Sequence, residues 1–220
     1  MPELVVDDGN GIGRIAAVVR PGRPRRFSPE AEQQLILDAA MVVMRRNASA
    51  DANVTEILDE AGLSTRAFYR HFASKDELLR AMHRRESERA AQRLVARVES
   101  AEPGVAQLEA WIDELLSFVY DKRKAVRVAL LSSDVAQRAA TRSELETART
   151  LMNAPLVALL DRGRRAGAFP NAEPERQARP IQALVNGLLH VGATGALIWP
   201  SRGEAVAEVL RFCLPALVAD

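Results

Sequence analysis

What this chain lacks narrows its function before any motif is read. It holds one cysteine, Cys213, which excludes an internal disulfide and any cysteine-based zinc cluster and fits a reducing compartment. The expectation for that residue is a small buried thiol. No paired Glu-x-x-His motif, nucleophile elbow, phosphate loop or cluster of histidines is present, so the usual supports for an enzyme built on a helical bundle are missing. No metal or cofactor is expected. The glycines at Gly9, Gly11 and Gly13 fail as a dinucleotide fingerprint, because Arg14 follows them and no strand precedes them. A flexible tail is expected there.

Excess charge is lacking too. Thirty Lys and Arg stand against 29 Asp and Glu, a net of +1, so the chain is not one that coats nucleic acid, and any DNA affinity must come from local concentration of charge. Lysine is scarce, with Lys75, Lys122 and Lys124 the three in the chain; the arginine bias suits phosphate and guanine forks but equally reflects codon usage. The first residues include Asp7 and Asp8, and the run from Ile15 to Val19 is too brief for a signal-peptide core, so a cytoplasmic location is expected. The stretch from Ile181 to Trp199 is long enough to span a membrane. It contains Asn186, His190 and many small residues, lacks aromatic belts on both sides, and reads as a buried helix. Nothing reads as a strand.

What is present is helix. At 220 residues with 48% apolar content, the chain has the length for one or two domains with a substantial core. Ser28 and Pro29 form a clean helix start, and Ile36, Ala39, Ala40, Val43 and Met44 recur at helical spacing. From Asn53 to Glu77 come two short helices around a glycine. Asn53 is an N-cap with Glu56 three residues on, Ile57, Leu58 and Ala61 form an apolar stripe, and Gly62 suits the left-handed stop. Ser64 or Thr65 caps the next helix, in which Phe68 and Phe72 face inward while Thr65, Arg66, Tyr69 and Arg70 face out. Ser74 with Glu77 reads as a capping box opening a further helix, with Lys75 in its first turn.

The run Thr55, Ile57, Ala61, Gly62, Ser64, Phe68, Tyr69, His71, Phe72, Ser74, Lys75, Leu78 resembles the signature of the TetR family of bacterial transcriptional regulators in order and spacing. It departs from the family pattern at Leu58, where a small residue is common, at Ala67, where a threonine is common and a hydroxyl is lost, and at Asn47, where glycine often ends the first helix. The resemblance covers residues 28 to about 80. It implies an all-α protein with a helix-turn-helix DNA reader, a larger helical ligand-binding part, dimerisation through the last two helices, and release from an operator by a small-molecule effector. The expected domains are a tail at 1–27, a DNA-binding domain at 28–73 and a ligand-binding and dimerisation domain at 74–220.

Within that scheme Thr65 and Arg66 are expected at base edges, since the second helix of the motif reads the major groove from its N-terminal part. Thr55, Tyr69, His71 and Lys75 are expected at phosphates, Ser64 beside them, and Arg70 at either. Tyr69 alternatively sits half-buried with its hydroxyl at the surface, and the phosphate role of His71 rests on the resemblance alone. Ahead of them Arg20 to Arg26 forms an extended basic arm whose Gly22, Arg23 and Pro24 resemble an AT-hook. Arg23, Arg25 and Arg26 either enter an adjacent minor groove or belong to a solvated linker.

Beyond Ser74 a long helix runs to about Ser100, polar in its middle third. A clear amphipathic helix carries Val105, Leu108, Trp111, Ile112, Leu115, Phe118 and Val119, a short piece spans Ala125 to Leu131, and one long helix is expected over 134–165 with Pro155 inside it. The next begins near Pro174 or Pro180 and runs to Trp199, and a last one spans Gly203 to Val218. Small pairs at Ala183 with Gly187 and Gly192 with Ala196 suit close helix approach, either across a two-fold axis or within one core. Polar residues in apolar helices mark a candidate cavity for a largely apolar effector: Asn153, Asn186, His190 and Thr194, with Trp111, Phe118, Tyr120 and Met152 as walls. Each alone is also compatible with a satisfied core or interface position. The competing functions are a constitutive architectural DNA binder and, less favoured, a helical-bundle enzyme.

Overall fold

The computed structural model describes residues 27–131, 138, 140–196 and 198–218, so Arg23, Arg25 and Arg26 lie outside the described residues. Those residues form helices and no strand. In chain order they are α1 (Pro29–Arg46), α2 (Val54–Ala61), α3 (Thr65–His71), α4 (Lys75–Glu99), α5 (Val105–Tyr120), α6 (Lys122–Leu131), α7 (Arg142–Arg165), α8 (Pro174–Ala193), α9 (Arg202–Cys213) and α10 (Pro215–Val218).

Two cores organise them. In the N-terminal one Ile36, Ala40, Val43 and Met44 of α1 close over Ile57 of α2, Phe68 of α3 and Phe72, all at most 1% exposed. This core does not stop where α4 begins: Leu78, Leu79, Ala81 and Met82 from its first two turns belong to it, and so does Leu130 from α6. The other core gathers Leu94 and Val98 from the far end of α4, Trp111, Ile112 and Leu115 from α5, Leu156, Leu159 and Leu160 from α7, and the inner faces of α8 and α9. The single helix α4 therefore contributes to both. Between its two apolar ends lies the polar middle third seen in the sequence.

Helix starts follow their caps. Ser28 accepts from the Ala31 amide and Pro29 occupies the first turn of α1. Asn53 accepts from the Thr55 amide at 2.9 Å, but Glu56 does not reciprocate: its carboxylate takes the Asn47 side-chain amide at 3.0 Å instead. Ser64, not Thr65, caps α3. Ser74 accepts from the Glu77 amide, and Glu77 reaches back to the Ala73 amide at 2.6 Å, one residue earlier than a reciprocal capping box requires. Gly62 has φ +63, the left-handed stop expected of it.

Several expected boundaries shift. The long helix expected over 134–165 is described from Arg142, where Thr141 and Glu144 form a full capping box, and residues 134–137 and 139 lie outside the described residues. The run from Ile181 to Trp199 is not one buried helix. α8 starts at Pro174, carries Pro180 inside, and stops at Ala193, with Gly195 at φ +83. Only one stripe of it, Ala178, Ile181, Gln182 and Val185, is buried. The last helix divides at Pro215 into α9 and α10, since proline has no N–H to continue the ladder. Cys213 is buried as expected, and burial raises its thiol to about 11. Among the described residues no helix is long and apolar enough to cross a membrane.

Candidate functional site

α3 is seven residues long, and its two faces have different fates. Ala67 and Phe68 point into the N-terminal core, while Thr65, Arg66, Tyr69 and Arg70 are exposed. Tyr69 is 62% exposed, its ring edge packed on Phe68 at 5.3 Å between centroids, so it is not a half-buried core residue. Thr55, at the start of α2, is exposed as well. The outward side of the motif thus offers a hydroxyl, a guanidinium and a phenol from one short helix.

Arg70 and His71 are engaged differently from the expectation. Glu32 on α1 is buried, and its carboxylate accepts from the Arg70 guanidinium and lies 3.1 Å from His71 Nε2. The His71 side chain is 9% exposed. The hydrogen bond with His71 lowers the Glu32 carboxyl below its ordinary value against the opposing cost of burial, with Arg70 adding attraction. His71 is therefore turned toward α1 rather than toward a phosphate. Lys75 pairs with Asp51, in the loop before α2, and hydrogen bonding from that ammonium holds Asp51 low. Glu32 and Asp51 were not legible as partners, being 39 and 24 residues away from the groups they meet.

The candidate cavity list separates. A cavity of about 430 Å³ opens beside the polar third of α4, and Phe118, Met152 and Asn186 line it. Trp111 does not: it is wholly buried, and its indole N–H donates to the Met152 carbonyl at 3.3 Å. Tyr120 donates to the Trp199 carbonyl at 3.0 Å and lines a smaller pocket at the end of α8. Asn153 and His190 stay off the cavity wall, with Asn153 Oδ1 buried and lacking a hydrogen-bond partner among the described residues. His190 and Thr194 are exposed.

The wall holds charged groups that the sequence reading passed over. His83, Glu86 and Arg93 project from one stripe of α4, Lys124 and Arg127 from α6, and Arg149 from α7. Glu86, 6% exposed, receives Arg127 at 2.8 Å and Arg89 at 3.3 Å. Lys124 bonds Glu114 at 2.8 Å and Ser117 at 2.7 Å. Burial lowers the His83 imidazole below 6.5, opposed by nearby Glu144.

At the far end Phe212 is 75% and Ile198 60% exposed, and Leu184, Leu188 and Trp199, with Glu208 and Arg211, line a hollow beside Phe212. Ala183 and Gly187 are exposed, with open space where a Gly187 Cβ would stand. Gly192 serves this chain's own packing instead, because a Cβ there would meet Val119 at 2.9 Å.

Residues 36–82 match the model of the bacterial regulatory proteins, tetR family. No curated relative matches the chain. Among solved structures, the fatty acid degradation regulator FadR from Bacillus halodurans aligns over 88% of this chain and 98% of its own, at 17% identity and a TM-score of 0.65. A TetR transcription regulator from Haloarcula marismortui aligns over 86% and 98%, at 20% identity and 0.66. FadR from Bacillus subtilis, solved in complex with stearoyl-CoA, aligns over 83% and 98%, at 15% identity and 0.64. The likeness to these structures is one of fold, and it covers far more of the chain than residues 36–82.

Proposed function

We propose that this chain, an all-α protein whose N-terminal unit is a TetR-family DNA-binding domain, is a ligand-responsive transcriptional regulator that acts as a homodimer on a palindromic operator in the cytoplasm, and that it represses. The observation that carries the DNA reading is the division of α3: Phe68 is buried while Thr65, Arg66 and Tyr69 stand exposed beside it. Thr65 and Arg66 read base edges, and Thr55, Tyr69 and Lys75 touch phosphate, Lys75 exchanging Asp51 for the backbone. Arg70 and His71 position α3 on α1 through Glu32. Ser64 is a cap whose backbone lies at the same helix start.

A reader with so few base-facing side chains discriminates weakly in one copy, which favours duplication across a two-fold axis. The apolar, exposed Phe212 and the open stripe at Ala183 and Gly187 support α8 and α9 as that interface. For effector response, α6 supports a direct route: Lys124, Arg127 and Val128 line the cavity, and Leu130 of the same helix sits in the N-terminal core. A ligand that prefers one setting of α6 and α4 then changes operator affinity, and the operator changes ligand affinity by the same factor.

Footprinting on the DNA flanking the gene tests this reading. One protected palindrome is expected. Uniform coverage would replace the regulator with an architectural binder, and no protection would remove DNA from the function. Arg66→Ala is expected to relax sequence preference and Lys75→Ala to weaken all sequences about equally; identical behaviour of the two would overturn the division of roles.

A further inference from the structure

Resting on the reading of the α4–α8 cavity as an effector site, we infer that its ligand is a small organic anion with an apolar body, a carboxylate of between about ten and twenty non-hydrogen atoms. The size follows from about 430 Å³, room for roughly fourteen waters at about 30 Å³ each. The apolar body follows from Phe118, Val128, Leu145, Ala148 and Met152 on the wall.

The charge follows from which cations are already satisfied. Four cations, Arg93, Lys124, Arg127 and Arg149, face one carboxylate, Glu86. Glu86 is taken by Arg127 and Arg89. Glu114, behind the wall, takes Lys124 at 2.8 Å and reaches Arg93 only at 3.9 Å. Arg149 lines the cavity from an exposed position on α7 and has no ion-pair partner among the described residues. The second observation is Gln182 of α8. It is 8% exposed and lines the cavity, and its side-chain amide has no hydrogen-bond partner among the described residues. The Gln182 amide is not sealed from solvent, so it is a donor open to a guest. A ligand carboxylate uses both groups, accepting from the Gln182 amide and pairing with the Arg149 fork. A neutral apolar molecule uses neither, and a cation adds repulsion.

Calorimetric titration of the full chain with decanoate, decanol and decylammonium varies the head group on one tail. Decanoate is expected to bind once per chain, decanol at least tenfold more weakly, and decylammonium not at all. Arg149→Gln and Gln182→Met are each expected to weaken decanoate at least tenfold without moving decanol, while Arg149→Lys stays within about threefold of the parent; thermal melts of each variant report whether it folds. Decanol binding as tightly as decanoate, or decanoate unchanged in both variants, overturns the inference. Operator binding measured on the same samples separates the two readings. Decanoate binding that depends on Arg149 but leaves DNA affinity unchanged upholds the ligand class and removes the effector role, and sequence-specific DNA binding with no acid bound overturns the ligand class alone.

Discussion

Glu86→Gln isolates the electrostatic centre that joins α4 to α6. The replacement keeps shape and removes one charge from a side chain that is 6% exposed. Three arginines lie around it, and they do not lose equally. Arg85 keeps Asp38 at 2.9 Å and was never closer than 3.7 Å to Glu86. Arg89 is 45% exposed, so solvent replaces most of what it loses, and a pair of that exposure is worth about 0–1 kcal/mol. Arg127 has no other acid partner among the described residues, and its 2.8 Å bond is the short one. The cost therefore concentrates there, at about 1.5–3 kcal/mol for a hydrogen bond to a charged group. For a chain of this length that lowers Tm by roughly 3–12 °C, at about 2–4 °C per kcal/mol.

The assay is thermal and urea unfolding followed by circular dichroism, with Arg127→Met and the double variant completing a cycle. The coupling energy is expected to carry most of the single-variant loss. Buried ion pairs are at times neutral when both partners become apolar, so the double variant is the sharper test. Additive losses, or an unchanged Tm in Glu86→Gln, would refute the assignment of Arg127 as the principal partner. The same variant leaves the cavity one charge more positive, so decanoate affinity is expected to rise as stability falls.

Other outcomes follow from single features. His83 has its imidazole depressed by burial, so the folded state favours the neutral ring. The stability this contributes is fully present above 6.5 and is lost as pH falls through the lower folded value; His83→Gln is expected to flatten the acid limb between about pH 7 and 5, measured by urea midpoints at each pH. Ala48 holds φ +49, which costs a residue with a Cβ about 1–2 kcal/mol. Ala48→Gly is expected to be stabilising by up to about 1 kcal/mol after the added chain entropy, seen as a higher urea midpoint. Cys213, with its thiol raised to about 11, is expected to resist thiol reagents at pH 8 until the chain unfolds. Phe212→Glu is expected to shift sedimentation from dimer toward monomer without lowering helicity; an unchanged dimer would move the interface elsewhere.

The N-terminal unit was legible because each of its signals is local. Ser28, Asn53, Gly62, Ser64 and Ser74 stand next to the helix ends they fix, and Phe68 and Phe72 are four residues apart on one face. What escaped was decided across distance. Asn47 occupies the place where glycine is common, and the chain answers by taking the left-handed turn one residue later, at Ala48. That shift frees the Asn47 side chain to hold Glu56, which leaves the expected capping box half-formed. His71 reads as a surface donor until Glu32 arrives from α1. The start of α7 was legible in principle, since Thr141 and Glu144 have capping-box spacing, but the helical periodicity of the preceding residues outweighed it.

The cavity was legible in part. Phe118, Met152 and Asn186 were expected at it and line it, while Asn153 and His190 do not, and the charged residues of α4 and α6 that share its wall carry no mark of it in the sequence. One stripe of the middle third of α4, His83, Glu86, Ser87 and Ala90, faces that cavity, and α6 runs from it, at Lys124 and Arg127, to the N-terminal core at Leu130. A net charge of +1 hides this, since the imbalance is local: among the described residues Arg149 and Gln182 have no partners, on the same cavity wall as a buried Glu86 shared by Arg127 and Arg89. On the proposal above, an anion that pairs with Arg149 also alters the field around Glu86, whose bond with Arg127 joins α4 to α6. The ligand's charge is then the property best placed to reach the N-terminal unit.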